Sequence, residues 1–314
     1  MEVFKVLLVV LLIVLVMVLL LSLMCYFKAF YSPYKNQNDD FVLFPLPAYQ
    51  KMKDRLYEYI KSARDIPYEE VEITSYDGTK LHAYYYHTSD DAVLDICFHG
   101  YRGTPLKDFS GGVKAFLKLG HNVLLVHQRA HGKSSGHTIS FGIKESKDCL
   151  YWINYAIKRF GPKQDIILGG ISMGASTVLL ASQYQLPSNV KGIIADSPFT
   201  SPKDIIKKVC ENDMHLPVFI VYPFIFLGAF IYGGFNLNDG DIKKALIHNN
   251  LKILIIHGKN DSYVPCSMSK LIADKDPNVD IEIFEGAEHG LSFVVDQPKY
   301  EKIVQEFVNK MCKK

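Results

Sequence analysis

Residues 165–180 most constrain what this chain can become, because they read without a break as a buried strand, a serine between two glycines, and a helix. In Gly170-Ile171-Ser172-Met173-Gly174 the glycines fall where a strand must turn into a helix too sharply for a side chain to fit. That turn leaves the Ser172 hydroxyl exposed on a strained backbone, ready to act as a nucleophile. The five-residue pattern alone is weak, and the chain carries a second match, Gly132-Lys133-Ser134-Ser135-Gly136. The two differ beyond their second glycine: small and apolar helix formers come after Gly174, but His137, Thr138, Ile139, Ser140, Phe141 and Gly142 come after Gly136. Ser172 is therefore the candidate and the other match a decoy. Nor is Gly132-Lys133-Ser134 a phosphate-binding loop, since that motif needs a glycine five residues earlier, where His127 stands.

A chain of 314 residues, 48% hydrophobic and 22% charged, can bury one large core or two modest ones. The formal net charge is +2 and no Lys/Arg cluster is interleaved with aromatics, which argues against nucleic acid and for small neutral or lipid-like ligands. Cys25, Cys97, Cys149, Cys210, Cys266 and Cys312 form no CxxC pair and no zinc-like spacing with histidine. Free thiols, largely buried, are expected, with no metal and no organic cofactor.

Residues 3–27 are almost continuously apolar and 6–24 carry no charge, enough to cross about 30 Å of hydrocarbon as a helix. A single transmembrane anchor over residues 1–30 is expected. Ser22-Leu23-Met24-Cys25-Tyr26 offers neither a small-residue cleavage site nor the small residue that precedes a lipidated cysteine. Lys5 precedes the span, and Lys28 and Lys35 come after it, before Asp39 and Asp40, a nearly balanced count that leans toward a cytoplasmic domain.

Residues 31–67 read as a linker and lead-in helix, amphipathic over 49–63, ahead of a folded domain at 68–314. Runs at 70–75 and 80–87 alternate around Asp77-Gly78, a hairpin signal. Apolar runs at 93–98, 122–126, 165–168, 190–195, 252–256 and 279–284 then alternate with helical stretches at 107–119, 144–160, after Ser172, 266–273 and 298–311. This pattern predicts an α/β fold with a mostly parallel, eight-stranded sheet, helices on both faces, and ligands beyond the carboxyl ends of its strands.

A serine hydroxyl needs a base within hydrogen-bond reach and a third group that holds the base in the right tautomer. Where the serine sits on a strand–turn–helix elbow of this kind, its partners come in chain order as acid and then histidine, each just past a strand end. Asp261 comes after the run at 252–256 and His289 after the run at 279–284, so both fall where the acid and the base must be. Taken alone, one of 11 histidines would be a surface loop residue; three partners in order reverse that preference. His257 is the rival base, but it precedes Asp261 by too little chain to face it across the sheet and reads as a strand-end residue. Asp196, after the run at 190–195, is the rival acid. An oxyanion needs preorganised N–H donors. One is expected from Met173 and the other from Tyr101 in His99-Gly100-Tyr101-Arg102-Gly103-Thr104.

These segments, together with Gln128 to Gly136, Asp196-Ser197-Pro198-Phe199 and Glu288-His289-Gly290, resemble the α/β-hydrolase superfamily over about residues 69–310. Within it the chain is similar to membrane-anchored serine hydrolases of the prolyl-oligopeptidase and serine-aminopeptidase branch. The resemblance implies a serine hydrolase that cleaves carboxylic esters or related acyl bonds through an acyl-enzyme, with its domain facing outward from the cell membrane. A peptidase of the same branch and a catalytically silent scaffold are the alternatives. Similar proteins carry aspartate where His127 stands, and Arg129 is expected to support the oxyanion turn.

The insertion at about 198–250 is the expected cap over the active site. Its core, 216–235, is apolar enough for a second span, but a second crossing would part Ser172 from Asp261 and His289. The cap is read as buried and lining an acyl pocket; the rival reading has it dip into the bilayer surface.

Overall fold

A computed structural model describes residues 1–32 and 40–312. Residues 33–39 of the expected linker, including Lys35 and Asp39 of the charge count, lie outside the described residues, as do 313–314.

The hairpin is β1 (Glu69–Thr74) and β2 (Lys80–Tyr86), and after it come β3 (Leu94–Phe98), β4 (Asn122–His127), β5 (Ile166–Ile171), β6 (Val190–Asp196), β7 (Lys252–Gly258) and β8 (Val279–Phe284). Their spatial order is β1-β2-β4-β3-β5-β6-β7-β8. β1 and β2 pair antiparallel, β2 joins β4 antiparallel, and the remaining pairs are parallel. β3 and β4 are buried at every position, as their unbroken apolar runs require when helices cover both faces of a sheet.

Before the sheet come α1 (Glu2–Ala29), α2 (Pro47–Lys51) and α3 (Lys53–Arg64). Around it lie α4 (Pro105–Asp108), α5 (Ser110–Lys118), α6 (Ile143–Phe160) and α7 (Met173–Ala181). α8 (Pro202–Lys208), α9 (Val218–Ile231) and α10 (Ile242–Ala245) form the insertion, and α11 (Cys266–Ala273), α12 (Ser292–Val295) and α13 (Gln297–Met311) complete the chain. One face of the sheet packs Trp152 and Ile153 of α6 and Leu180 of α7 against Ile96, Leu124 and Leu168. The other packs Val113 and Phe116 of α5 and Val304 and Phe307 of α13 against Leu125, Ile167 and Ile256. α7 is buried throughout, which explains why it carries no charge. All six cysteines are free, with Cys97, Cys149 and Cys210 buried and the others half-buried.

Among the described residues, α1 is the one helix long and apolar enough to cross a membrane. It is exposed along most of its length and enters the domain only at its end, where Ser22, Tyr26 and Phe30 are buried. Backbone bonds then stitch it in place: Ile139 donates to the Phe30 carbonyl and Ser32 to the His137 carbonyl, both at 2.8 Å.

α9 has 14 residues, about 21 Å of helix, too short to span. It buries only Ile225, Gly228 and Ala229, while Phe219, Ile220, Phe230 and Ile231 stay exposed. Its partner is α1. A Cβ on Gly228 would lie 2.5 Å from the Ser22 carbonyl oxygen, so glycine is what lets the two helices approach. The Tyr232 hydroxyl donates to the Leu19 carbonyl at 3.0 Å.

Candidate active site

The sharp turn at Ser172 is where β5 ends and α7 begins. Ser172 sits at φ 56° and ψ −117°, a conformation that costs about 1–3 kcal/mol and persists only where the surroundings impose it. They do so by contact. A Cβ on Gly170 would lie 2.3 Å from the Gly174 carbonyl, and one on Gly174 would lie 1.8 Å from the Phe98 oxygen, so both flanking positions exclude any side chain. The Ser172 N–H donates to the Asp196 carbonyl at 2.8 Å, which fixes the turn to the end of β6.

Three loops at the carboxyl ends of their strands then meet. The Ser172 Oγ lies 2.9 Å from His289 Nε2, and His289 Nδ1 lies 2.7 Å from Asp261 Oδ2. With Nδ1–H donating to the carboxylate, Nε2 is left to accept from the serine hydroxyl, the tautomer a general base requires. Asp261 Oδ1 accepts the N–H groups of Tyr263 at 3.0 Å and Val264 at 2.7 Å. Burial alone would raise the Asp261 carboxyl, but His289 and His257 beside it outweigh that and hold it well below the usual carboxylate range.

His257 is the next-to-last residue of β7, a strand-end position as expected, and although too little chain separates it from Asp261 for the two to face across the sheet, their side chains meet. Its Nε2 is 3.1 Å from Asp261 Oδ2 and 2.9 Å from the Val264 carbonyl, and Nδ1 is 2.6 Å from Ser269 Oγ. The loop 259–264 turns back over the strand end, so a short chain separation brings the two side chains together. Facing two acceptors, Nε2 carries the proton. His257 thus shares with His289 the same carboxylate oxygen, Oδ2, while the backbone holds Oδ1. Asp196, the rival acid, instead accepts the Ser197 hydroxyl at 2.8 Å, and burial pushes its carboxyl up to about 6.

The loop after β3 passes over Ser172: a Cβ on Gly100 would lie 3.4 Å from the Ser172 Cβ. Gly100 N–H donates to Asp108 Oδ2 at 2.7 Å, Arg102 N–H donates to His131 Nε2 at 3.0 Å, and Gly103 N–H donates to the Gly100 carbonyl at 3.1 Å. Among the described residues, the N–H groups of Tyr101 and Met173 have no acceptor within the protein.

The expectation for Arg129 is overturned for its side chain, while its carbonyl accepts from His131 Nδ1 at 2.9 Å. Its guanidinium is taken by Asp148, at 2.6 Å through both Nε and Nη2, and by Asp77 at 2.9 Å, which tie it to α6 and the hairpin turn. His131, two residues on, holds the loop after β3 instead, by accepting the Arg102 N–H. The decoy Ser134 is buried, donating to the His127 carbonyl at 2.5 Å and accepting from the His82 N–H at 2.9 Å, a structural part of its turn.

His127 is buried with neither ring nitrogen bonded among the described residues, and burial pushes it down to about 3. Such unmet groups cost about 1–3 kcal/mol. His127→Phe is therefore expected to raise the melting temperature at neutral pH. The sign with pH comes from the depressed value: the folded state binds fewer protons than the unfolded chain, so stability falls as pH drops from about 6.5. The variant should lose less stability than wild type between neutral pH and pH 4, as read by thermal melts across that range; an equal loss would remove His127 from the account.

A cavity of about 420 Å³ opens beside Ser172. Its lining includes Phe109 and Phe116, Phe293, Val294 and Tyr300, and Val42, Phe44, Tyr49, Leu56 and Tyr59. No residue of the insertion at 198–250 lines it among the described residues, which overturns the expected acyl-pocket lining. The segment read as linker and lead-in helix takes that place. Tyr49 donates to the His289 carbonyl at 2.9 Å, and Phe44 packs on both Tyr263 and His289.

A family model described as the alpha/beta hydrolase fold matches residues 96–219. The chain has the α/β-hydrolase fold. The uncharacterized protein YqkD of Bacillus subtilis (strain 168) is 29% identical over 198 residues, 62% of this chain and 65% of that protein. Lysophosphatidylserine lipase ABHD12 of Danio rerio is 27% identical over 191 residues, 57% of this chain and 46% of that one. The matched stretch thus spans less than two thirds of either relative. Among solved structures that share the α/β-hydrolase fold, the Pyrococcus furiosus esterase Pf2001 superposes with a TM-score of 0.64 at 23% identity, covering 78% of this chain and 93% of that one. Est1E of Butyrivibrio proteoclasticus with bound ferulic acid superposes with a TM-score of 0.59 at 22% identity, covering 78% of this chain and 100% of that one.

Proposed function

We propose that this protein is a membrane-anchored serine hydrolase that cleaves carboxylic esters of apolar, lipid-like acyl groups. Ser172 attacks the carbonyl while His289 takes its proton and later returns it to the leaving alcohol. Asp261 fixes the imidazole and stabilises its charged form, and the N–H groups of Tyr101 and Met173 receive the oxyanion. Water then attacks the acyl-enzyme by the same route in reverse.

The observation that carries this reading is the continuous chain Ser172–His289–Asp261 at the mouth of an apolar cavity. Esterase and lipase names among the similar proteins agree with it. A peptidase of the aminopeptidase kind would need a free carboxylate for the substrate amine. Among the described residues, the two carboxylates that line the cavity are already engaged, Asp108 by the Gly100 N–H and Asp196 by the Ser197 hydroxyl.

The test is hydrolysis of p-nitrophenyl esters against aminoacyl-nitroanilides. Ester turnover should rise from acetyl toward octanoyl as more of the apolar wall is filled. Turnover of the nitroanilides alone would sink the esterase reading.

The exposed apolar face of α9, joined to α1 within the apolar run of the anchor, supports work at a bilayer surface. The domain is read as facing outward. Protease added to intact cells should then digest it, and a protected domain would reverse the assignment.

A further inference from the structure

The last turn of α1 is bonded directly to the oxyanion loop. The Tyr101 hydroxyl donates to the Ala29 carbonyl at 2.8 Å, and Arg102 Nη2 donates to the carbonyls of Lys28 at 3.0 Å and Tyr31 at 3.1 Å. A helix leaves its final carbonyls without intrahelical partners, and a cation is favoured at that end of its dipole. Here the donors and the cation come from the two residues after Gly100, at the point where the loop crosses Ser172.

The loop has reason to need this support. Arg102 holds φ 52°, a left-handed conformation disfavoured for a residue with a side chain, and that kink separates the Tyr101 N–H from the Gly103 N–H, which turns back to Gly100. Asp108 fixes the loop before the kink through Gly100, and Asp40 fixes it after the kink through Thr104 Oγ1 at 2.5 Å. At the kink itself the restraints are His131 on the Arg102 N–H and the two side chains gripping α1. The Tyr101 ring is stacked on Phe141, and Phe141 packs against Phe30, so the same end of α1 also backs the ring.

We propose that the end of the anchor helix is a positioning element of the active site: Tyr101 and Arg102 clamp its terminal carbonyls and thereby set where the Tyr101 N–H stands over Ser172. α1 is then more than a tether, because the helix that enters the membrane fixes the geometry of the oxyanion loop. The inference rests on the hydrolase reading above, with Tyr101 and Arg102 acting through their side chains as positioning residues and the Tyr101 N–H acting on the substrate.

The experiment compares full-length wild type with the Tyr101→Phe/Arg102→Ala double variant in detergent micelles, and with Tyr101→Phe/Arg102→Lys, which restores a cation and a donor. Turnover of p-nitrophenyl butyrate is expressed per active site titrated with a fluorophosphonate. The double variant should show kcat lower by about ten- to a hundredfold with KM little changed, since a small misplacement of a donor falls on the transition state, and lysine should recover part of the loss. A merely structural role would lower the number of titrated sites and leave kcat per site unchanged, which would overturn the proposal.

Amide hydrogen exchange over residues 99–104 reads the clamp without catalysis. Exchange should accelerate in the double variant, and equal exchange would overturn the proposal. A wild type inert toward every ester, with exchange still accelerated in the variant, would sink the hydrolase reading and keep the clamp.

Discussion

Ser172→Ala is expected to lose ester turnover by about 10⁴-fold or more and to take no label from a fluorophosphonate, while its fold survives. The substitution deletes one oxygen whose bond is to His289 Nε2. It leaves the features that enforce the turn, the contacts at Gly170 and Gly174 and the Ser172 N–H bonded to the Asp196 carbonyl. Thermal melts should therefore stay close to wild type. Persistent labelling of Ser172→Ala would show that another group reacts and would sink the assignment. Ser134→Ala is the informative control because its oxygen bridges the His127 carbonyl and the His82 N–H in a buried turn. That variant should be destabilised by about 1–3 kcal/mol yet turn over normally per titrated site. The two serines share a five-residue pattern and differ in what their surroundings ask of them.

That contrast shows where the sequence was readable. The elbow could be found because its constraint is local: a strand, a turn with no room for Cβ atoms and a helix must appear in register, and only residues 165–180 supply them. Asp261 and His289 were legible for a related reason, since the alternation of strands and helices brings successive strand ends to one edge of the sheet. What escaped depended on which surfaces meet. Leu56, Ile60 and Ala63 gave the lead-in helix an apolar face that had to bury somewhere. Periodicity does not say against what: Leu56 packs with Leu291 and Val294 and lines the cavity beside Ser172, while Ala63 packs with Phe109 and Val113. The apolar sequence of α9 suggests the wall of that cavity for the insertion, but α9 packs on α1 instead, and Gly228 allows the approach. The contacts of His257 and Arg129 are not legible over a few residues, because a loop that doubles back, or carboxylates brought in by α6 and the hairpin turn, reorders what chain distance suggests.

The second large effect belongs to Asp261, and its sign is set by its two imidazole neighbours. Asp261→Asn should lower kcat by about 10³–10⁴-fold with KM little changed, because the side chain touches His289 and not the cavity. An amide in that position can present its NH2 group to His289 Nδ1. The imidazole then carries its proton on Nε2, the wrong tautomer to accept from Ser172. The backbone steadies the alternative, since the Tyr263 and Val264 N–H groups require an acceptor where Oδ1 stood and so leave the amide NH2 where Oδ2 faced His289, with the His257 Nε2–H keeping only the Val264 carbonyl. Wild-type Asp261 titrates well below the usual range, so its stabilising contribution is complete above the unfolded-chain value of about 3.9 and is lost only as pH falls through the lower folded value. The acid is therefore ionised wherever the ester assay is run, so no part of the defect of Asp261→Asn between pH 6 and 9 comes from titration of Asp261 itself. Asp196→Asn tests the competing acid in the same assay. It should keep kcat near wild type, because its carboxyl is bonded to Ser197 and already shifted toward the neutral form. A large kcat loss in Asp196→Asn beside a nearly intact Asp261→Asn would transfer the role to Asp196 and break the chain from Ser172 through His289 to Asp261.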